Sequence, residues 1–131
     1  MKKMIPFLSL AVSLMLSVCT YAAEKGAVKI AVASIGKTTT GSVSNLAARS
    51  PYYLVFDGKG NLIEAISNPY KDAARGAGPS AVNFLAAKGV NIVIAENFGI
   101  KMINALKGKR ISHFEFKGRV DEAVKKVLEL K

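Results

Sequence analysis

Five residues, Asp57-Gly58-Lys59-Gly60-Asn61, constrain this chain more than any other stretch. They form its strongest turn signal and separate two apolar runs, Tyr52 to Phe56 (YYLVF) and Leu62 to Ile66 (LIEAI). Two runs rich in aromatic and branched residues, joined by so short a link, make an antiparallel hairpin.

Strand and helix signals alternate on either side of that hairpin. Ala27 to Ala33 (AVKIAVA) is apolar except for Lys29, which suits a strand covered on both faces. Ile35 to Arg49 is rich in Gly, Ser and Thr and reads as a loop, and Ser67 to Gly78 is a second polar segment. A helix is expected to open at Pro79, to turn Val82, Leu85 and Ala86 inward, and to stop at Gly89. Val90 to Ala95 reads as a buried strand. A second helix is expected from about Gly99 to Leu106, ended by Gly108, and Ile111 to Phe116 as the last strand. After Gly118, Val120, Ala123, Val124, Val127 and Leu128 fall at helical spacing, with Asp121 and Glu122 in the favourable first turn. The order is β-β-β-α-β-α-β-α, which predicts an α/β fold with a mixed five-stranded sheet and helices on both faces. Right-handed crossovers put the strands that follow helices parallel to the first strand.

The N-terminus carries a different message. Lys2 and Lys3 precede an uncharged run from Met4 to Ala23 that ends in the small-residue signal Thr20-Tyr21-Ala22. A basic start, apolar middle and small-residue end are the layout of an export signal, so residues 1–22 read as a signal peptide and 23–131 as one domain. The expected location is periplasmic. The alternatives are an uncleaved membrane anchor, since the run nearly spans a bilayer, and a lipid anchor on Cys19. Removal of the segment takes Cys19 with it, so no disulfide, thiolate ligand or cysteine nucleophile remains. It also takes Lys2 and Lys3, leaving 17 of the 19 basic residues against 9 acidic ones, a balance of +8. Such a chain favours anionic partners: a phosphate, a polyanion, a charged metal cluster or an acidic membrane surface. The plainer reading is that the charge keeps a small exported protein soluble.

In an open α/β sheet, ligands bind beyond the carboxyl ends of the parallel strands. Three loops should meet there: Ser34 to Ser50, Arg75-Gly76-Ala77-Gly78, and Glu96-Asn97-Phe98-Gly99. The last two lead into helices, whose free N–H groups and positive dipole ends attract anions. Lys37, Arg49, Arg75 and Lys101 could add charge around the rim. Set against this, the glycines could serve tight turns and the basic residues could simply be solvated.

Catalytic sets are missing. His113, the only histidine, alternates with Ile111 and Glu115 along a strand and has no nucleophile in any motif beside it. Neither GxxxxGK[ST] nor GxGxxG occurs. Asp57, Glu64 and Glu96 are too scattered for two-metal hydrolysis, and one histidine without cysteine cannot hold a mononuclear zinc. The chain reads as a non-enzyme.

Several landmarks in order, SPYYLVFDGKGNLIEAISNP, GAGPSAVNFLAAKGVNIVIAENFGIKMINAL and GRVDEAV, resemble the dinitrogenase iron–molybdenum cofactor biosynthesis family of the NifX and NafY type. The resemblance covers roughly Val28 to Leu128. It implies a ribonuclease-H-like fold without nuclease chemistry, and a function in binding or carrying anionic iron–sulfur or iron–molybdenum clusters. Carried over by position, the binding candidates are Arg49 and Ser50, Gly76 and Gly78, and Phe98 and Gly99, beside Arg75 and Asn97 from the same loops. Two departures stand out. Leu46-Ala47-Ala48 replaces the H-F-G that many members carry before the arginine, removing a natural cluster ligand, and export departs from cytoplasmic nitrogenase assembly. The expected function is therefore a carrier for an anionic metal cofactor or oxyanion. The alternative is an exported interaction module that kept the fold and lost its cargo, with a cell-envelope protein as partner. Nucleic acid is not expected despite Lys107, Lys109, Arg110, Lys117 and Arg119, and the membrane enters only through an uncleaved N-terminal segment.

Overall fold

The computed structural model describes residues 27–130. The export segment expected at residues 1–22 lies outside the described residues, and among the described residues no helix is long and apolar enough to cross a membrane. The elements are β1 (Lys29–Ser34), β2 (Tyr52–Asp57), β3 (Leu62–Ser67), α1 (Ala77–Ala87), β4 (Ile92–Ala95), α2 (Ile100–Gly108), β5 (Ser112–Glu115) and α3 (Val120–Glu129). They form one five-stranded sheet in the order β3-β2-β1-β4-β5. The hairpin strands are antiparallel, and β4 and β5 run parallel to β1, as the crossover argument requires.

Period-two alternation in β1 splits the core into two layers. Ala31 and Ala33 face one side, where Val82 and Leu85 of α1 and Met102 and Leu106 of α2 cover them together with Tyr53, Val55 and Val93. Ile30 and Val32 face the other, where Val120, Ala123, Val124 and Val127 of α3 meet Leu54, Phe56, Ile92 and Ile94. The small alanines of β1 lie under two helices, and the large branched residues under one. The hairpin turn closes on Asp57, whose carboxylate accepts hydrogen bonds from the backbone amides of Lys59 and Asn61, both at 2.9 Å. Those bonds, Asn61's first, hold its pKa below the ordinary carboxylate range.

Two helix boundaries differ from expectation. Helix α1 begins at Ala77, because Gly76 takes the left-handed turn (φ 69°) that starts it. Pro79 is thus the third helical residue, where an amide would have no intrahelical partner anyway. Helix α2 includes Gly108. Its reversal is made at Arg110 (φ 59°), the only non-glycine among the described residues at positive φ, and the Ile111 amide closes the end on Leu106 O at 2.9 Å.

Strand direction gives the molecule two poles. At one lie the carboxyl ends of β1, β4 and β5 and the N-termini of the helices. At the other lie Ala27, the hairpin tip and the helix C-termini. There Lys29 Nζ donates to Lys88 O at 2.7 Å, Gly58 packs on Val28, and Leu128 packs over Gly60.

Candidate functional site

The polar stretch after β1 is stitched across the strand ends. The Ser44 amide donates to Ala33 O (2.8 Å), Val43 to Gly118 O (2.8 Å), Glu96 to Ser44 O (3.0 Å) and Ala47 to Asn97 O (3.1 Å). That course carries Ala48 and Arg49 to the helix N-termini. A buried polar cluster fixes them there. Asn68 Nδ2 donates to Ala48 O and Ser50 O, both at 2.9 Å, while Asn68 Oδ1 accepts from the Tyr70 amide at 2.9 Å. Tyr53 Oη donates to Ala47 O at 2.6 Å, and burial pushes its phenol pKa up, so it stays a neutral donor. Arg49 Nη1 then donates to Lys71 O (3.2 Å) and Ala73 O (2.7 Å), holding the loop that bears Arg75.

The result is a cavity of about 640 Å³ lined by segments of all three loops: Ala48–Arg49, Ala74–Pro79 and Gly99–Met102. A smaller cavity of about 330 Å³ adjoins it, lined by Leu46 to Arg49 and Asn97 to Gly99. Such volumes lie in the range of roughly 300–1,000 Å³ usual for small-molecule sites. Of the residues singled out from sequence, Arg49, Arg75, Gly76, Gly78 and Gly99 line the larger cavity with Lys101, and Asn97 and Phe98 the smaller. Ser50 does not line either. It is fully buried, and its hydroxyl lies 2.7 Å from Tyr52 O and 3.0 Å from Ser34 O, so it serves the turn into β2. Lys37 is also outside, with Nζ over the Tyr52 ring at 5.6 Å. His113 is half-buried and meets the edge of Phe98, ring centroids 4.9 Å apart, as a packing partner of that loop.

Both helices enter the cavity bare. Neither has a side-chain cap, and the amides of Ala77, Gly78, Ile100, Lys101 and Met102 find no acceptor among the described residues. The two ends touch: a Cβ on Gly78 would stand 3.1–3.3 Å from Met102 Cβ, N and Cα. Gly78 is therefore needed for helix contact. Gly99 is not constrained in this way, since a Cβ there meets nothing within 4 Å. Gly78→Ala should cost about 1–2 kcal/mol of stability by overpacking against backbone that cannot retreat. Gly99→Ala should stay within about 0.5 kcal/mol of the parent. Urea denaturation of the two variants checks the contrast.

Electrostatically the cavity is one-sided. Arg49, Arg75, Lys101 and two positive helix ends line it, and no carboxylate does. Among the described residues no group of three His, Cys, Asp or Glu could hold a metal ion. The arrangement suits a guest that brings its own metal ligands and presents negative outer atoms to N–H donors.

Sequence reasoning missed the cluster of Tyr53 and Asn68, which fixes the Ala47 to Ser50 segment and lines neither cavity. Its signal was present in the Asn68-Pro69 that follows the hairpin.

Comparison with known proteins agrees with this geometry. Residues 27–130 match the family profile described as dinitrogenase iron-molybdenum cofactor. The apo form of the orange protein from Desulfovibrio gigas is similar, with 27% identity and a TM-score of 0.73, covering 77% of this chain and 87% of its own. A Thermotoga protein described as a candidate NifB protein of the DUF35 family is 35% identical, with a TM-score of 0.67, covering 78% of this chain and 88% of its own. A candidate dinitrogenase from Methanocaldococcus jannaschii shares the fold at 18% identity and a TM-score of 0.54, covering 77% of this chain and 88% of its own. No curated protein matches the chain in sequence. With the profile matched over all the described residues and the Thermotoga relative aligned along most of both chains, the protein belongs to the dinitrogenase iron–molybdenum cofactor family.

Proposed function

We propose that this chain is a non-enzymatic binding or carrier protein for an anionic metal cluster, iron–sulfur or iron–molybdenum in kind, or for a related metal oxyanion. One observation carries the reading: two uncapped helix N-termini share a cavity with Arg49, Arg75 and Lys101 and with no acid. In that setting backbone N–H groups and guanidinium forks grip outer sulfur or oxygen atoms, and no bond need be made or broken. Family membership supports the cluster class. The N-terminal segment 1–22 supports delivery across the inner membrane, so the guest would be held in the periplasm and passed to or from a cell-envelope protein. Nucleic acid does not fit, because the basic residues outside the site do not form one stripe. Lys107 in the last turn of α2 and Lys109 and Arg110 just after it lie at one pole, whereas Lys117 and Arg119 lie at the other, with Arg119 tied to Asp121 at 2.6 Å.

The second reading, an interaction module without cargo, is favoured by the missing metal-ligand set. Anaerobic incubation of the purified protein with iron–sulfur species or molybdate, followed by desalting and elemental analysis, separates the two. Stoichiometric retention of metal supports the carrier. No retention, with an envelope protein recovered by cross-linking, supports the module.

A further inference from the structure

The pole opposite the candidate site has its own chemistry. Lys59 stands at the hairpin tip, Lys107 in the last turn of α2, and Lys109 and Arg110 just beyond it, all exposed. None forms an ion pair with an acid among the described residues, where the only pairs are Lys88–Glu64 and Arg119–Asp121. Asp57, Glu64 and Glu129 are the acids at this end, and Glu64 is paired with Lys88 at 3.7 Å. Asp57 is engaged by the turn amides. A lysine in the last turn of a helix complements its dipole, which explains Lys107. It does not explain Lys59, or an arginine at positive φ where glycine would be relaxed.

Ala27, the first described residue, lies at this same pole. Asn91 Nδ2 donates to Ala27 O at 2.9 Å, and Ser112 at the start of β5 donates its amide to Asn91 O at 3.0 Å. Only Glu24-Lys25-Gly26 separate Ala27 from the uncharged run Met4 to Ala23. While that run is attached, the four chain links from Ala23 to Ala27 keep whatever surface receives it within about 14 Å of Ala27.

We propose that this pole is a docking face for an anionic bilayer surface. Lys59, Lys107, Lys109 and Arg110 lie against acidic head groups beside the N-terminal run. The six residues of β1 then set the candidate anion site about 20 Å away, facing the aqueous side. Acidic head groups supply the complementary charge, and the short connection supplies the proximity.

The test uses the full chain reconstituted into vesicles of phosphatidylcholine, with and without phosphatidylglycerol. An amine-reactive reagent and mass spectrometry read lysine exposure. On anionic vesicles, Lys59, Lys107 and Lys109 should label several-fold more slowly than on neutral ones, while Lys37 and Lys101 at the other pole keep their rate. Lys107→Glu with Lys109→Glu should restore fast labelling of Lys59, weaken anionic-vesicle binding by about tenfold and flatten its dependence on salt. Equal labelling at the two poles, or protection that is the same on neutral vesicles, overturns the proposal. Protection of Lys37 and Lys101 instead would overturn it too, by turning the site toward the membrane.

Discussion

Replacing Arg75 and Lys101 together by alanine should weaken retention of an anionic cluster or molybdate by about a hundredfold, because each charge-assisted hydrogen bond is worth about 1.5–3 kcal/mol. The thermal midpoint should not move. Both side chains are exposed, and neither makes a hydrogen bond or ion pair among the described residues. Binding alone depends on them. Arg49 behaves differently, since its guanidinium already holds Lys71 O and Ala73 O. Arg49→Ala should lower both retention and stability. Equilibrium dialysis at low and high salt reads the first effect and calorimetry the second. Residual binding in the double variant should fall less steeply with salt, because two of the exposed charges that salt screens are gone. If retention is unchanged in Arg75→Ala with Lys101→Ala, the guest is not held at this cavity.

Much of the architecture was readable because each decisive signal was local. Asp57 to Asn61 could only turn, and its carboxylate closes the turn in the structure. The run AVKIAVA could only be a covered strand, and β1 is the centre of the sheet with helices on both sides. Convergence of the three loops followed from strand order and handedness, with no need to know side-chain positions. What the sequence hid was long-range. Helix α1 starts at Ala77 because a left-handed Gly76 turns the backbone there, and proline two residues later looks the same from either register. Gly108 looked like a stop signal, yet the reversal is made by Arg110, an uncommon choice for positive φ. Ser50 looked like a rim residue next to Arg49, but its side chain turns into the core, where its hydroxyl meets the backbone carbonyls of Ser34 and Tyr52. Gly78 and Gly99 were indistinguishable in sequence. Only the approach of α2 to α1 makes one obligatory and leaves the other free.

The largest loss of stability should come from a residue that never touches the guest. Asn68 is 5% exposed and satisfies three backbone groups from two separate segments: Ala48 O, Ser50 O and the Tyr70 amide. Asn68→Leu keeps the volume and leaves those groups without partners, at about 1–3 kcal/mol for each buried unsatisfied group. A total loss of about 4 kcal/mol is expected, a large share of the roughly 5–15 kcal/mol that holds a domain together. Tyr53→Phe removes one donor, to Ala47 O, and should cost about 1–2 kcal/mol. Because both residues pin the Ala47 to Ser50 segment, the double variant should lose less than the two single losses combined. Asn68→Asp decides which half of the amide matters. Its carboxylate can still accept from Tyr70, but it cannot donate to either carbonyl and would bring a negative charge into the core. It should therefore fare no better than leucine. Urea titrations of the four variants measure this, and loading assays below their midpoints measure the consequence for the guest. If the Ala48–Arg49 segment drifts once its anchor is gone, Arg49 can no longer hold the Arg75 loop by Lys71 O and Ala73 O, and uptake should fall in variants that are still folded. Asn68→Leu that folds with parental stability would mean that the carbonyls of Ala48 and Ser50 are satisfied by water, and that the rim is positioned by the helices alone.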